Sequence, residues 1–257
     1  GVGYDKVDVA AATEKGIQVT ITPGANGDSV ADLAVALMLD CARNVTFMNN
    51  SIKAGKQERP SGLEMWEKTL GVVGAGRIGK GVARRCKGFQ MRILCYDQFQ
   101  DQAFADEVGG TYVDFDTLLA QSDVITLHMP LLDSNRHIIN RESVAKMRDG
   151  VVIVNCSRGE LADIEALIEG IETGKIGALG MDTVEGDEGI IHADHRVDIL
   201  PNRNWFYLHQ FRNVIMTQHM AFYTDAAVSS MVDCGIGGIC QMAAGESCPT
   251  ELTGPVQ

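Results

Sequence analysis

The chain has 257 residues, 45% hydrophobic and 22% charged, which suits one large α/β domain or one domain with part of a second. A formal net charge of −12 argues against a nucleic-acid or anionic-membrane partner. No window reads as an uninterrupted membrane span and no signal-peptide pattern opens the chain. The seven cysteines include no C-x-x-C pair and read as thiols in a reducing, cytoplasmic compartment, without a zinc site.

A glycine-rich loop over 1–8 leads into a short helix over 8–15, which Gly16 is placed to end. A short strand is expected over 17–21, then a turn with Pro23, Gly24 and Gly27. Asp28 or Ser29 can cap a long helix over 30–43, rich in Ala, Leu and Val on most faces. A helix apolar nearly all round is buried, between domains or between subunits. The polar run 49–68 reads as a surface connection.

The next stretch, TLGVVGAGRIGKGVARRCKGFQMRILCYD, organises the rest. An apolar run over 70–73 ends in Gly74-Ala75-Gly76-Arg77-Ile78-Gly79, after which the spacing is helical through residue 85. A second apolar run over 91–96 closes on Asp97. In a dinucleotide site Gly74 makes the turn, Gly76 lets the backbone approach a pyrophosphate, and Gly79 lets the helix pack on the strand. The helix N-terminus offers unpaired N–H groups to the phosphates. Asp97, 18 residues after Gly79, can accept hydrogen bonds from ribose hydroxyls and would repel a 2′-phosphate, so the cofactor predicted is NAD rather than NADP. A lone G-x-G-x-x-G is weak. Here strand, turn, helix and acid agree.

The alternation continues with a helix over 116–121, strand 124–128, helix 141–147, strand 151–155, helix 160–173 and short strands over 178–182 and 213–217. The polar stretch 185–212 is too long for an ordinary loop. A helix is expected over 221–235, and the polar tail after Ala244 reads as loosely held.

Ligands of an open parallel sheet bind beyond the carboxyl ends of its strands. Strand 151–155 is followed by Cys156-Ser157-Arg158-Gly159. Strand 178–182 is followed by Glu185, Asp187 and Glu188, and strand 213–217 by Gln218-His219. An arginine, a carboxylate and a histidine suit reduction of a 2-oxo acid. Arg158 would bind the substrate carboxylate or polarise the carbonyl, and His219 would give a proton to the alkoxide. The carboxylate would orient the imidazole and favour its protonated form. Each has a bland reading: a surface ion-pair partner, a core histidine satisfied by backbone, a solvated acidic loop. Their coincidence beside a dinucleotide motif tips the balance.

The segments GVGYDKVDV, PGANGDSVADLAVALML, GVVGAGRIG with Asp97, LHMPLLDSNRHIIN, VIVNCSRGELAD, GALGMDTVEGDE and NVIMTQHMAFYT resemble, in order, the D-isomer-specific 2-hydroxyacid dehydrogenases. The resemblance implies a Rossmann-type doubly wound parallel sheet over 27–219. With it goes a remnant of a flavodoxin-like substrate domain from 1–26 and 220–257. It implies an NAD-dependent oxidoreductase that makes a D-2-hydroxy acid, D-lactate dehydrogenase-like, and a homodimer joined through the helix over 30–43. It assigns Arg158, Asp187 and His219 to catalysis, and Val2, Gly3 and Arg158 to the substrate. Cofactor contacts fall at Gly74, Gly76, Arg77, Ile78, Gly79, Asp97, His128, Pro130, Cys156 and Asp182.

There are two departures. The family's catalytic Glu lies five residues after the acid matching Asp182, and that position here is Asp187, one methylene shorter; Glu185 or Glu188 are alternatives. The glycine motif also comes early, so most N-terminal strands of the substrate domain are expected to be missing from this sequence. The 185–212 segment and HMAFYT resemble the D-lactate and D-hydroxyisocaproate branch, although Phe222 stands where some of that branch carry Tyr. The alternatives are a reductase of larger branched, aromatic or dicarboxylic 2-oxo acids, and a non-catalytic NAD-sensing protein of the same fold.

Overall fold

The computed structural model describes residues 1–4, 6–191 and 202–253. It divides into two compact units, Gly1–Val30 with Phe222–Gln257, and Ala31–Ala221. Part of the long polar stretch, 192–201, and the last four residues of the tail lie outside the described residues.

The helices, in chain order, are α1 (Val9–Glu14), α2 (Gly27–Arg43), α3 (Val45–Lys53), α4 (Arg77–Lys87), α5 (Gln102–Val108), α6 (Phe115–Gln121), α7 (Arg141–Lys146), α8 (Ile164–Glu172), α9 (Arg203–His209) and α10 (Asp225–Ala243). The strands are β1 (Thr69–Val73), β2 (Arg92–Tyr96), β3 (Thr111–Tyr112), β4 (Val124–Leu127), β5 (Val151–Asn155), β6 (Ile176–Met181) and β7 (Val214–Met216).

All seven strands pair in parallel, in the order β3-β2-β1-β4-β5-β6-β7. The chain runs outward from β1 through β2 to β3, then crosses back to β4. The order therefore reverses between β1 and β4, and a crevice opens beyond their carboxyl ends. Helices cover both faces, so β1, β4 and β5 are buried at every residue. Ile125, Leu127, Ile153, Leu179, Leu118 and Leu167 form the centre of one core, each contributing about 1.5–3 kcal/mol by the usual transfer estimate.

Five local readings are corrected. No strand forms over 17–21; only Thr20 pairs, as an isolated antiparallel bridge with Glu251, because no longer strand lies beside it. The tail is anchored there rather than loose. Ile21 donates to Thr250 O at 3.1 Å, Leu252 donates to Val19 O at 2.9 Å, and Cys248 is buried. α2 begins at Gly27, so Asp28 and Ser29 lie in its first turn, and Ser29 Oγ donates back to Asn26 O. The 160–173 helix is broken: a 3-10 turn spans Gly159–Leu161, and Asp163 caps α8 by accepting from Glu165 N–H at 3.0 Å. Finally, α10 extends to Ala243, and by length and composition alone it is apolar enough to cross a membrane, against the expectation that no segment is. Its bulky apolar residues, among them Val228, Val232, Ile236 and Ile239, are interrupted by Ser229, Ser230, Asp233 and glycines, which hid it from a search for apolar runs.

Candidate active site

The pyrophosphate turn is shaped by what its glycines exclude. Gly74 sits at φ +94°, and a Cβ there would lie 2.8 Å from the carbonyl carbon of His128 and from Met129 N. A Cβ on Gly79 would lie 2.1 Å from Gly74 O, so only glycine lets α4 start this close to β1. At Gly76 a Cβ would meet nothing within 4 Å. Its smallness serves no protein contact, as expected where a ligand approaches the backbone. Among the described residues no side chain caps α4, and its first turn holds no acid, which leaves its N-terminal N–H groups for an anion. Asp97 closes the turn: Oδ2 accepts from Ala75 N–H at 2.7 Å and Oδ1 from Phe99 N–H at 2.9 Å. These features fit a dinucleotide.

His128, next to Gly74, has its Nε2 2.8 Å from Thr126 Oγ1, while its buried Nδ1 has no partner among the described residues. Desolvation pushes its pKa down to about 3, so the ring is neutral at physiological pH. Burial pushes the thiols of Cys86 and Cys95 up to about 12 and raises that of Cys156, which leaves them as poor nucleophiles.

Arg158 follows β5 on a turn pinned by Asn155. The Asn155 side chain is fully buried; its Oδ1 accepts from Ser157 N–H at 3.0 Å and its Nδ2 donates to Arg158 O at 2.8 Å. Ser157 Oγ donates to Met129 O at 2.5 Å, tying this turn to the one after β4. Sequence reading missed Asn155; the signal was one amide ending the otherwise apolar run VVIVN.

Asp182, 1% exposed, builds the loop that carries His219. Its Oδ1 accepts from Thr217 Oγ1 at 2.5 Å and Met220 N–H at 3.0 Å, and its Oδ2 from Ala221 N–H at 3.0 Å. Its carbonyl accepts from His219 N–H at 3.0 Å, and His219 is held at φ +55°. Both carboxylate oxygens thus serve the histidine loop, a role that position alone did not reveal. The His219 side chain makes no hydrogen bond among the described residues.

The acidic loop after β6 holds the third group. Asp187 Oδ2 accepts from Val184 N–H at 3.2 Å. Glu185 is committed elsewhere: its Oε1 lies 2.5 Å from Arg136 Nη2 and 2.7 Å from His137 Nε2. That oxygen is thereby engaged by Arg136 and His137 rather than by His219. A Cβ on Gly159 would lie 2.2 Å from Val184 C, so the arginine and acid loops pack backbone to backbone. Val2 and Gly3 belong to the other compact unit.

A doubly wound parallel sheet with this turn defines a dinucleotide-binding dehydrogenase domain. Residues 35–221 match the NAD-binding domain of the D-isomer specific 2-hydroxyacid dehydrogenases. The chain belongs to this family of NAD-dependent oxidoreductases acting on CH–OH donors. It is 50% identical over 187 residues to the hydroxypyruvate reductase of Thermotoga maritima, covering 72% of this chain and 60% of that protein. It is 37% identical over 252 residues to Escherichia coli D-lactate dehydrogenase, covering 97% of this chain and 76% of that one. The Aquifex aeolicus D-lactate dehydrogenase complexed with NAD and lactic acid superposes with a TM-score of 0.90 at 32% identity, covering 99% of this chain and 79% of that one. The chain thus spans between about three fifths and four fifths of the lengths of these relatives.

Proposed function

We propose that the chain reduces a small 2-oxo acid to the D-2-hydroxy acid with NADH, as a D-lactate dehydrogenase does. The observation that carries this is the placement of Arg158 and His219 on loops after β5 and β7, flanking the acid-bearing end of β6, in the unit with the dinucleotide turn. Bound NADH supplies a hydride. Arg158 presents paired N–H donors to the substrate carboxylate, and the backbone N–H groups of Val2 and Gly3 assist. His219 gives its proton to the carbonyl oxygen as charge develops there. Asp187 would orient that imidazole once substrate is bound. Arg77, Ile78 and the α4 N-terminus hold the pyrophosphate, while Asp97 takes the ribose hydroxyls and disfavours a 2′-phosphate. His128, Pro130, Cys156 and Asp182 line the rest of the cofactor site. The unit Gly1–Val30 with Phe222–Gln257 supplies part of the substrate domain. The protein works in the cytoplasm as a homodimer joined through α2.

The test is Arg158→Gln. Turnover should fall at least about 100-fold, ~2.7 kcal/mol of transition-state stabilisation, while NADH affinity measured by fluorescence is kept. Unchanged turnover would remove the arginine from the mechanism. A protein that binds NADH and turns over no 2-oxo acid even before substitution would instead be a cofactor sensor.

A further inference from the structure

The loop carrying Asp187 is held by contacts that the reaction itself does not use. Residues 184–187 form a turn in which Asp187 N–H donates to Val184 O at 3.1 Å. Gly186, at φ +77°, occupies the third position, where a type II turn needs a positive φ. Glu185 occupies the second, and its side chain reaches Arg136 and His137 on the segment after β4. Only 19% of that side chain is exposed, so this charge-assisted pairing is screened by water less than a surface ion pair would be. The anchor is itself fixed. His137, at φ +52°, donates its N–H to Glu160 O at 2.8 Å and accepts Asn140 Nδ2 on its carbonyl at 2.9 Å. On the far side of the turn, Asn202 Nδ2 donates to Gly186 O at 3.0 Å.

We infer that Glu185, clamped by Arg136 and His137, is a positioning residue that fixes the turn and thereby sets the approach of Asp187 to His219. This rests on the proposed dehydrogenase function. The physical reason is reach. Aspartate has one rotatable bond fewer than glutamate with which to correct a misplaced backbone. A site that uses the shorter acid therefore depends more on how firmly its loop is held.

The experiment is a double-mutant cycle on the 257-residue chain, read as kcat, KM and NADH affinity for pyruvate reduction. Glu185→Ala should lower kcat about tenfold with NADH affinity unchanged, and Arg136→Gln, at an exposed position, should do the same to a smaller extent. In an Asp187→Ala background, Glu185→Ala should lower kcat by less than about twofold further, since the clamp then has nothing to position. Equal losses in both backgrounds would overturn the inference. Amide exchange gives a readout independent of turnover: Glu185→Ala and Arg136→Gln should each speed exchange at the Val184 and Asp187 amides. If the unmodified chain binds NADH without reducing any 2-oxo acid, the functional reading fails while faster exchange still supports the clamp. Unchanged exchange in both variants overturns it.

Discussion

The pyrophosphate turn and the acid loop lie at the same edge of one sheet and are built in opposite ways. In the turn, backbone geometry does the work: Gly74 and Gly79 are where a Cβ would strike the chain's own carbonyl groups, and Asp97 accepts from the Ala75 N–H within it. In the acid loop, distant side chains do it: Arg136 and His137 grip Glu185, Asn202 grips Gly186 O, and Asp182 holds the neighbouring histidine loop. The first kind of site is specified mostly within one strand-turn-helix-strand stretch, Gly74's close approach to His128 and Met129 apart, and the second only by the fold. A change in the turn acts at once on folding or cofactor affinity, whereas a change in the Glu185 clamp is expected to act on kcat.

The sharpest way to break this comparison lies within the turn. Gly79→Ala should destabilise the protein by about 3 kcal/mol or more, because the new Cβ meets backbone that cannot move without unseating α4. Gly76→Ala should leave urea unfolding unchanged and yet weaken NADH binding about tenfold, ~1.4 kcal/mol, because its Cβ meets only space a ligand would use. If both variants unfold alike, Gly76 is structural and the ligand argument for the turn is wrong.

Asp182→Asn comes next. Three donors converge on that carboxylate, and an amide nitrogen would face one of them, so denaturant unfolding should show a loss of about 2–3 kcal/mol. A neutral result would mean that the histidine loop is held by its backbone alone.

His128 contributes a pH dependence. Its folded pKa, about 3, lies below the ordinary 6.5, so the unfolded chain takes up the proton first. The stability this group contributes is present above about 6.5 and is lost as pH falls toward 3. A His128→Gln variant should therefore gain on the parent protein as pH is lowered through that window, measured as the difference in urea midpoints. Parallel curves would show that the imidazole is not kept neutral by burial.

The smallest effect concerns the residue that leads into β1. Glu67 holds φ +56°, which disfavours any side chain, so Glu67→Gly should raise stability by up to about 1 kcal/mol. A lower melting temperature would mean that the carboxylate has an offsetting role.

The same contrast explains what could be read from the chain alone. The strand VVIVN was legible as a fully buried parallel strand because its pattern is local, and the turn because its spacing is. The partners of Asp182 lie 35 to 39 positions away and those of Glu185 48 and 49, distances at which no periodicity links them. The anchoring of the tail on 19–21 was invisible for the same reason. α3, α5 and the break before α8 are short, and their boundaries are set by single residues such as Asn44, Asp101 and Asp163. Asp187 was legible as a departure from the family pattern, but what holds its loop was not.

The central claim is that this turn and these loops make an NADH-dependent reductase of 2-oxo acids. Its most direct test is oxidation of NADH, followed by absorbance, with pyruvate, 2-oxoisocaproate, phenylpyruvate and 2-oxoglutarate, and NADPH as the control. The predicted result is turnover with NADH and little with NADPH, as the ribose-binding role proposed for Asp97 requires, and fastest turnover with pyruvate. Equal use of both cofactors, or bound NADH with no turnover of any of the four acids, would contradict it.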